Sequence, residues 1–111
     1  MAQLITSFYK GRRVVIPITY KVDSVAVDVT GYTFTFMMKK RLSFDDADAI
    51  LTKDAALSDP TNGIVTLTLT EEETDIKPME YYYDLMLTDD SGYVTQLDQN
   101  KVEVLTPVNL P

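Results

Sequence analysis

Residues 74–87 read Thr74-Asp75-Ile76-Lys77-Pro78-Met79-Glu80-Tyr81-Tyr82-Tyr83-Asp84-Leu85-Met86-Leu87, and this stretch decides the fold. It begins as a polar corner and continues as a strand. Side chains two positions apart share a face of a strand. One face therefore carries Tyr81, Tyr83, Leu85 and Leu87, and the other carries Tyr82, Asp84, Met86 and Thr88. A β-sandwich uses such a stretch to cross between its sheets, with a corner tyrosine whose ring is buried and whose hydroxyl bonds back to the backbone.

Working outward, the remaining chain is a series of short alternating segments separated by turn signals. Strand patterns cover 13–22, 32–41, 49–53 and 64–69, and a final strand pair, or one strand broken near Gln99-Asn100, covers 93–105. Residues 2–9 read as a first strand or an arm, 55–59 as a connection, and 106–111 as an extended tail. Seven to nine short strands without helical periodicity predict one all-β domain over residues 1–111, a sandwich or a barrel.

Turn chemistry and core positions follow from the same pattern. Turns are predicted at Lys10-Gly11-Arg12, Asp23-Ser24, Asp59–Gly63 and Asp89–Gly92, and the Asn62-Gly63 pair of the third is the strongest hairpin dipeptide in the chain. The largest apolar side chains of the alternating faces form the predicted core, namely Phe34, Phe36, Leu67, Tyr81, Tyr83 and Leu85.

Three local features carry sharper predictions. Pro17 lacks an N–H, so its strand must be bulged there or have one unpaired side. Thr70 and Glu73 have capping-box spacing, and Pro78 limits the helix that they start to about one turn. Ser43 is placed to cap a loop or single helical turn that contains Asp45, Asp46 and Asp48.

Composition bounds the function classes. The 111 residues are 45% hydrophobic and contain no cysteine, which excludes disulfides, thiolate metal sites and a cysteine nucleophile. The first six residues lack a signal-peptide pattern, and no apolar run reaches the length of a membrane span. We expect a protein that is made and folded in the cytoplasm and has no membrane partner.

The net charge of −7 argues against nucleic acid as a partner. Residues 1–53 hold eight Lys/Arg and five Asp/Glu, a net of +3, whereas residues 54–111 hold two Lys and twelve Asp/Glu, a net of −10. Two interpretations remain open. The two halves interleave within one sandwich, or the subunit has one basic and one acidic surface and associates head to tail.

The sequence carries no pattern of catalytic chemistry. Histidine is absent and the four glycines are isolated, which excludes histidine-based triads and phosphate-cradling loops. The aspartates at 45, 46 and 48 and at 89 and 90 do not match the spacing of a calcium loop, and turns or solvated loops explain them. We therefore predict no enzyme activity, no catalytic or metal-binding residue and no cofactor.

Some side chains that are predicted to lie on the surface suggest contacts with partners. Tyr82 and Met86 lie on the face opposite the core residues of their strand, and an exposed Tyr beside a Met is typical of interfaces. The basic groups at 10–13 and 39–41 lack interleaved aromatics, so we expect them to serve solubility or to pair with the acidic half.

Three segments, taken in order, resemble a known family. The first, residues 28–34, reads Asp-Val-Thr-Gly-Tyr-Thr-Phe. The second, residues 62–74, reads Asn-Gly-Ile-Val-Thr-Leu-Thr-Leu-Thr-Glu-Glu-Glu-Thr. The third, residues 81–92, reads Tyr-Tyr-Tyr-Asp-Leu-Met-Leu-Thr-Asp-Asp-Ser-Gly. The arrangement covers roughly residues 13–105. It resembles small immunoglobulin-like domains in virion proteins of tailed bacteriophages, including the N-terminal domain of baseplate upper proteins.

The resemblance implies an immunoglobulin-like antiparallel β-sandwich with a structural, non-enzymatic role in the tail, baseplate, neck or fibre attachment region of a virion. The alternatives are a decoration protein on the phage head and a stand-alone module that binds carbohydrate or a host surface. We expect localisation in the virion after folding in the cytoplasm of a host bacterium. The expected partners are other virion proteins and copies of the protein itself.

The termini carry more apolar side chains than a free solvated segment should. A terminal arm that adds to the edge of a neighbour's sheet would cover those side chains and that edge. The predicted interaction residues are therefore Leu4, Ile5, Phe8, Tyr9, Val108 and Leu110 at the termini, and Tyr82 and Met86 on the sheet face. The arm interpretation further predicts that removal of residues 1–8 leaves a folded sandwich that does not assemble.

Overall fold

The computed structural model describes residues 3–41 and 49–108. Within these ranges the chain forms ten strands and one single-turn 3-10 helix, Pro60–Asn62. The strands are β1 Ser7–Tyr9, β2 Val14–Thr19, β3 Lys21–Val22, β4 Val25–Ala26, β5 Thr33–Lys39, β6 Leu51–Asp54, β7 Ala56–Asp59, β8 Ile64–Leu69, β9 Glu80–Thr88 and β10 Val94–Leu105.

The strands form two sheets and a small hairpin. The larger sheet has the order β1-β10-β9-β5-β6, the smaller has the order β2-β8-β7, and β3 pairs with β4. Side chains from both sheets share one buried core, so the predicted all-β sandwich is confirmed. One pairing departs from the antiparallel expectation, because β1 runs parallel to β10.

The core follows the predicted alternation of the strands. β9 alternates buried and half-buried positions from Tyr81 to Thr88, and β5 does so from Phe34 to Lys39. All six predicted core side chains are no more than 2% exposed. The rings of Phe36 and Tyr83 stack with their centroids 5.5 Å apart, which adds aromatic contact to the burial of apolar area. The strand parity read from the sequence is therefore confirmed.

The corner between β8 and β9 has the predicted local chemistry. The backbone N–H of Thr70 donates to Glu73 Oε1 at 2.9 Å, and the N–H of Glu73 donates to Thr70 Oγ1 at 3.2 Å. These reciprocal bonds are a capping box. The hydroxyl of Tyr81 donates to the carbonyl oxygen of Lys77 at 2.5 Å, so Tyr81 is the corner tyrosine.

Two predictions about single residues have defined outcomes. Pro17 lies in β2, which is at an edge of the smaller sheet and pairs only with β8 among the described strands, so its unpaired side is confirmed. Asp23 and Ser24 both have positive φ, 51° and 66°, and form the two-residue turn of the β3–β4 hairpin.

The connection predicted at 55–59 is wrong, because Ala56–Asp59 forms β7, an exposed edge strand paired with β8. The turn predicted at Asp59–Gly63 is confirmed, and it joins β7 to β8 as a 3-10 turn over Pro60–Asn62. Gly63 ends this turn with a positive φ of 72°. A Cβ on Gly63 would lie 2.6 Å from the carbonyl oxygen of Tyr20, so the close approach of backbone also demands glycine.

The final segment is one strand rather than a pair. β10 is continuous over its twelve residues, and its register against β9 shifts between Gln96 and Asp98 instead of near Gln99-Asn100. The predicted cap Ser43 and the aspartates at 45, 46 and 48 lie outside the described residues.

Candidate interaction surfaces

The N-terminal segment packs on its own domain. Phe8 is 5% exposed and belongs to the core, and Leu4 and Ile5 are partly buried against that core. Tyr9, the next residue of β1, points away from the core and is 52% exposed. Of the two interpretations of residues 2–9, a first strand or an arm, residues 3–9 agree with the strand, since β1 lies at the edge of the larger sheet and pairs with β10. The effect of removing residues 1–8 on assembly stays a prediction.

A buried carboxylate anchors this segment. Asp98 Oδ2 accepts hydrogen bonds from the hydroxyl of Tyr83 and from the backbone N–H of Leu4, both at 2.7 Å. Asp98 Oδ1 accepts a bond from the side-chain amide of Asn100 at 2.7 Å. The N–H of Ile5 donates to the Tyr83 hydroxyl at 3.4 Å. Burial, reinforced by the bond to Asp98, raises the pKa of Tyr83 to about 12.

The role of Asp98 was missed by the sequence analysis. A signal was nevertheless present, because Asp98 shares the parity of the buried Val102 and Val104 along β10. A charged residue on the core face of a strand needs hydrogen-bond partners. Its partners Leu4 and Tyr83 lie 94 and 15 residues away in the chain, so no local pattern identifies them.

The outer face of the larger sheet carries the predicted Tyr82 and Met86, both half-buried. Tyr82 lies between Lys39 of β5 and Lys101 of β10, and Lys101 Nζ is 5.7 Å from the centroid of the Tyr82 ring. A shallow depression lies beside Tyr82 and is also lined by Met37, Lys39, Asp84 and Gln99. Met86 shares the face but does not line this depression.

Of the predicted C-terminal interaction residues, Val108 is fully exposed beyond the end of β10. Leu110 lies outside the described residues. The structure therefore places Tyr9, Tyr82, Met86 and Val108 at least partly on the surface, and it places Phe8 in the core.

The turn that follows β9 is closed by hydrogen bonds between the side chain of Asp89 and backbone N–H groups of the same turn. Asp89 Oδ1 accepts hydrogen bonds from the N–H groups of Ser91 and Tyr93, both at 2.9 Å, as expected of a turn-closing aspartate.

Burial first, and then the charges of Asp90 and Asp89, raise the pKa of Tyr32. Within 3–41 and 49–108, no group of three or more acidic, histidine or cysteine side chains has a geometry that could hold a metal ion. The same part of the chain has no helix with the length and hydropathy needed to cross a bilayer.

Comparison with known proteins supports the fold. No protein-family model matches the chain, and no curated protein matches it. CopC from Methylosinus trichosporium OB3b superposes with a TM-score of 0.55 at 9% identity, over 98% of this chain and 91% of CopC. Murine CRIg gives a TM-score of 0.41 at 12% identity, over 94% of this chain and 92% of CRIg, which is too distant to carry an argument. The similarity to CopC shows an immunoglobulin-like β-sandwich fold and nothing further.

Proposed function

We propose that this protein is a non-enzymatic structural protein of a tailed bacteriophage particle, a repeated building block of the tail, baseplate, neck or fibre attachment region. The observation that carries the proposal is the ordered set of three segments that resemble small immunoglobulin-like domains of phage virion proteins. They occupy residues 28–34, 62–74 and 81–92 and span most of the domain.

Each segment has a framework role in the sandwich. Residues 28–34 bring the chain through the turn at Gly31, whose φ is 84°, into β5 and bury Val29 and Phe34. Residues 62–74 supply Gly63, β8 and the capping box. Residues 81–92 supply the tyrosine corner, β9 and the turn closed by Asp89. The resembling segments therefore build the framework of the sandwich, and the resemblance implies no catalytic residue. A structural protein of this kind acts through the surfaces that it offers to its partners.

Proteomics of the virion tests the proposal. Particles purified by density gradient from an infected host that makes this protein should contain it in many copies, as measured by quantitative mass spectrometry. Labelling of intact particles with an antibody should mark the tail. Label on the head would indicate the decoration alternative. Abundant protein in the lysate with none in the particles would reject a virion role.

The depression beside Tyr82 favours a second candidate, a module that binds carbohydrate or a host surface. An aromatic ring next to Lys39, Asp84 and Gln99 combines a stacking surface with hydrogen-bonding groups, as small-molecule sites do. Binding of host envelope polysaccharide that disappears in Tyr82→Ala and persists in Tyr9→Ala would support this candidate. Equal binding by both variants and by the wild type would exclude Tyr82 as its site.

A further inference from the structure

The turn between β7 and β8 contains the dipeptide Asn62-Gly63. In an unfolded chain, the main-chain nitrogen of the residue that follows an asparagine can attack the side-chain amide of that asparagine. Glycine permits this attack best, because it has no Cβ to shield its nitrogen and it leaves the backbone the most freedom. The other two asparagines, Asn100 and Asn109, precede lysine and leucine. Asn62 is therefore the asparagine of this chain that reacts fastest when the chain is unfolded.

The reaction is a deamidation with a defined balance of atoms. The N–H of Gly63 gives its proton to a base in the solvent, its nitrogen forms a bond with Cγ of Asn62, and the side-chain nitrogen of Asn62 leaves as ammonia. Water then opens the resulting five-membered imide at one of its two carbonyls. Opening at Cγ gives aspartate. Opening at the main-chain carbonyl gives isoaspartate, in which the chain runs through Cβ and Cγ and is one atom longer.

The folded turn holds the attacking nitrogen away from its target. Asn62 is the last residue of the 3-10 helix, and the N–H of Gly63 donates to the carbonyl oxygen of Pro60 at 3.0 Å. The imide ring closes only when the Gly63 nitrogen eclipses Cβ of Asn62, and this requires a ψ of Asn62 outside the helical region. The attack therefore requires the turn to open and its hydrogen bond to break.

The side-chain amide that would be attacked is restrained as well. Asn62 Nδ2 donates to Oδ2 of Asp59, the residue before the 3-10 turn, at 2.9 Å. This bond holds the side chain of Asn62 in place, although Asn62 itself is exposed to water. The charge of the Asp59 carboxylate also opposes the oxyanion that develops on the Asn62 side chain during the attack. Both reacting groups are therefore held in an unreactive arrangement.

The fold does not accommodate the isoaspartate product. The carbonyl oxygen of Pro60 accepts a hydrogen bond from the N–H of Val29, and that of Gly63 accepts one from the N–H of Tyr20, both at 2.8 Å. Gly63 also has no free space on its other side, because a Cβ there would lie 2.7 Å from the carbonyl oxygen of Val27. Isoaspartate adds one main-chain atom between the two hydrogen-bonded carbonyls. The added atom must break these contacts or push the backbone into the neighbouring loop.

We propose that Asn62 is a site of spontaneous deamidation that the folded turn suppresses, and that its isoaspartate product prevents the chain from refolding. Opening of residues 59–63 then leads to an irreversible change, so the lifetime of the native protein depends on how rarely this turn opens. The inference goes beyond the proposed function, because it concerns the isolated chain and is tested without a particle.

Peptide mapping by mass spectrometry measures deamidation at Asn62 over time, in native buffer and in urea at the same mildly alkaline pH. The rate in native buffer should be at least about tenfold lower, which corresponds to a local opening free energy of about 1.4 kcal/mol. Asp59→Ala should raise the native rate severalfold and leave the rate in urea unchanged. Asp54→Ala is the matched control, because Asp54 is also exposed and accepts a side-chain hydrogen bond at 2.9 Å, from Thr35. Equal rates for the wild type in the two solutions would overturn the proposal, and equal native rates for the two variants would overturn the role of Asp59 in it.

The refolding yield tests the consequence of the modification. Wild-type protein held in urea should lose the ability to refold as isoaspartate accumulates, as measured by circular dichroism after dilution. Asn62→Gln should keep its refolding yield, because glutamine would have to form a six-membered ring and reacts far more slowly. Asn62→Asp carries the other product and should refold with lower stability, since two carboxylates then face each other at residues 59 and 62. Isoaspartate recovered in the refolded fraction, or a wild-type yield that falls no faster than that of Asn62→Gln, would overturn the proposal.

Discussion

Tyr81 and Tyr83 show how neighbouring side chains on one face of a strand hold different parts of the molecule. Both rings are almost completely buried, and each hydroxyl has a partner. The Tyr81 hydroxyl holds the corner four residues before it, whereas the Tyr83 hydroxyl contributes to the anchor of the N-terminal segment through Asp98. Tyrosine suits both positions, because its ring fills the core while its hydroxyl reaches a buried acceptor.

Tyr81→Phe should lower the free energy of unfolding by about 1–2 kcal/mol, because the carbonyl oxygen of Lys77 loses its donor while the ring still fills the core. Urea unfolding followed by circular dichroism measures this change. Tyr82→Phe is the control and should change stability by less than about 0.5 kcal/mol, since Tyr82 lies on the outer face. Indistinguishable curves for the two variants would argue against the tyrosine corner as a stabilising contact.

Asp98→Ala should lower the free energy of unfolding by about 2–3 kcal/mol, more than Tyr81→Phe does. It leaves the buried hydroxyl of Tyr83 and the N–H of Leu4 without their acceptor. Hydrogen exchange should show the loss at a defined place, namely the amide of Leu4. Glu103→Ala, at an exposed position on the same strand, should leave that amide protected. An unchanged exchange rate at Leu4 in Asp98→Ala would contradict the anchor.

At the scale of elements, β10 combines two strand pairings with a register shift. It pairs with β9 along most of its length, accepts β1 in parallel near its end, and shifts register between Gln96 and Asp98. A shift of this kind re-aims side chains. Asp98 follows the shift directly and points to the core side, where Leu4 and Tyr83 meet it. The irregularity in β10 therefore accompanies the docking of the N-terminal segment.

The strand β1 should contribute to stability through its inward residue. Phe8→Ala should cost about 3–5 kcal/mol, because Phe8 is in the core, whereas Tyr9→Ala should cost less than about 0.5 kcal/mol. Removal of residues 1–8 should destabilise the domain at least as much as Phe8→Ala, in contrast to the free-arm expectation. Chemical denaturation of all three variants provides the measurement. A deletion variant as stable as the wild type would restore the arm interpretation.

For the whole molecule, the charge separation between the two halves of the sequence does not become a separation between the two sheets. The two oppositely charged halves interleave, because each sheet contains strands from both halves. Ion pairs join the halves at the corner, between Lys10 and Asp75 and between Lys53 and Glu73.

The pH dependence of stability should have an alkaline limit set by Tyr83. Its pKa is raised from 10.0 to about 12, so the folded state holds the phenolic proton more tightly than the unfolded chain does. This contribution, about 3 kcal/mol from the two-unit difference, is complete below pH 10 and is lost as the pH rises towards 12. Tyr83→Phe should therefore be less stable at pH 8 but lose less stability between pH 10 and pH 12. Parallel alkaline profiles for the two proteins would contradict this assignment.

An acid limit arises at Glu73. The N–H of Thr70 lowers its pKa, with Lys53 adding to the effect and burial opposing it. A lowered folded pKa contributes stability above the unfolded value of 4.5, and that stability disappears as the pH falls through the folded pKa. Glu73→Gln keeps an acceptor for the capping box and removes the titration. The stability difference between wild type and Glu73→Gln should therefore shrink below pH 4.5, and a constant difference across acid pH would reject the role of Glu73.

Features with local causes could be predicted from the sequence pattern. Alternation in β5 and β9 identified the core faces, and the Thr70–Glu73 and Tyr81–Lys77 contacts span only three and four residues. The parallel pairing of β1, the exposed edge strand β7 and the hydrogen bonds of Asp98 could not be predicted, because they depend on tertiary contacts. Asp98 binds Leu4 across 94 residues, and β1 reaches β10 from the other end of the chain. These contacts join residues that are distant in sequence, and they form only when the strands take their register.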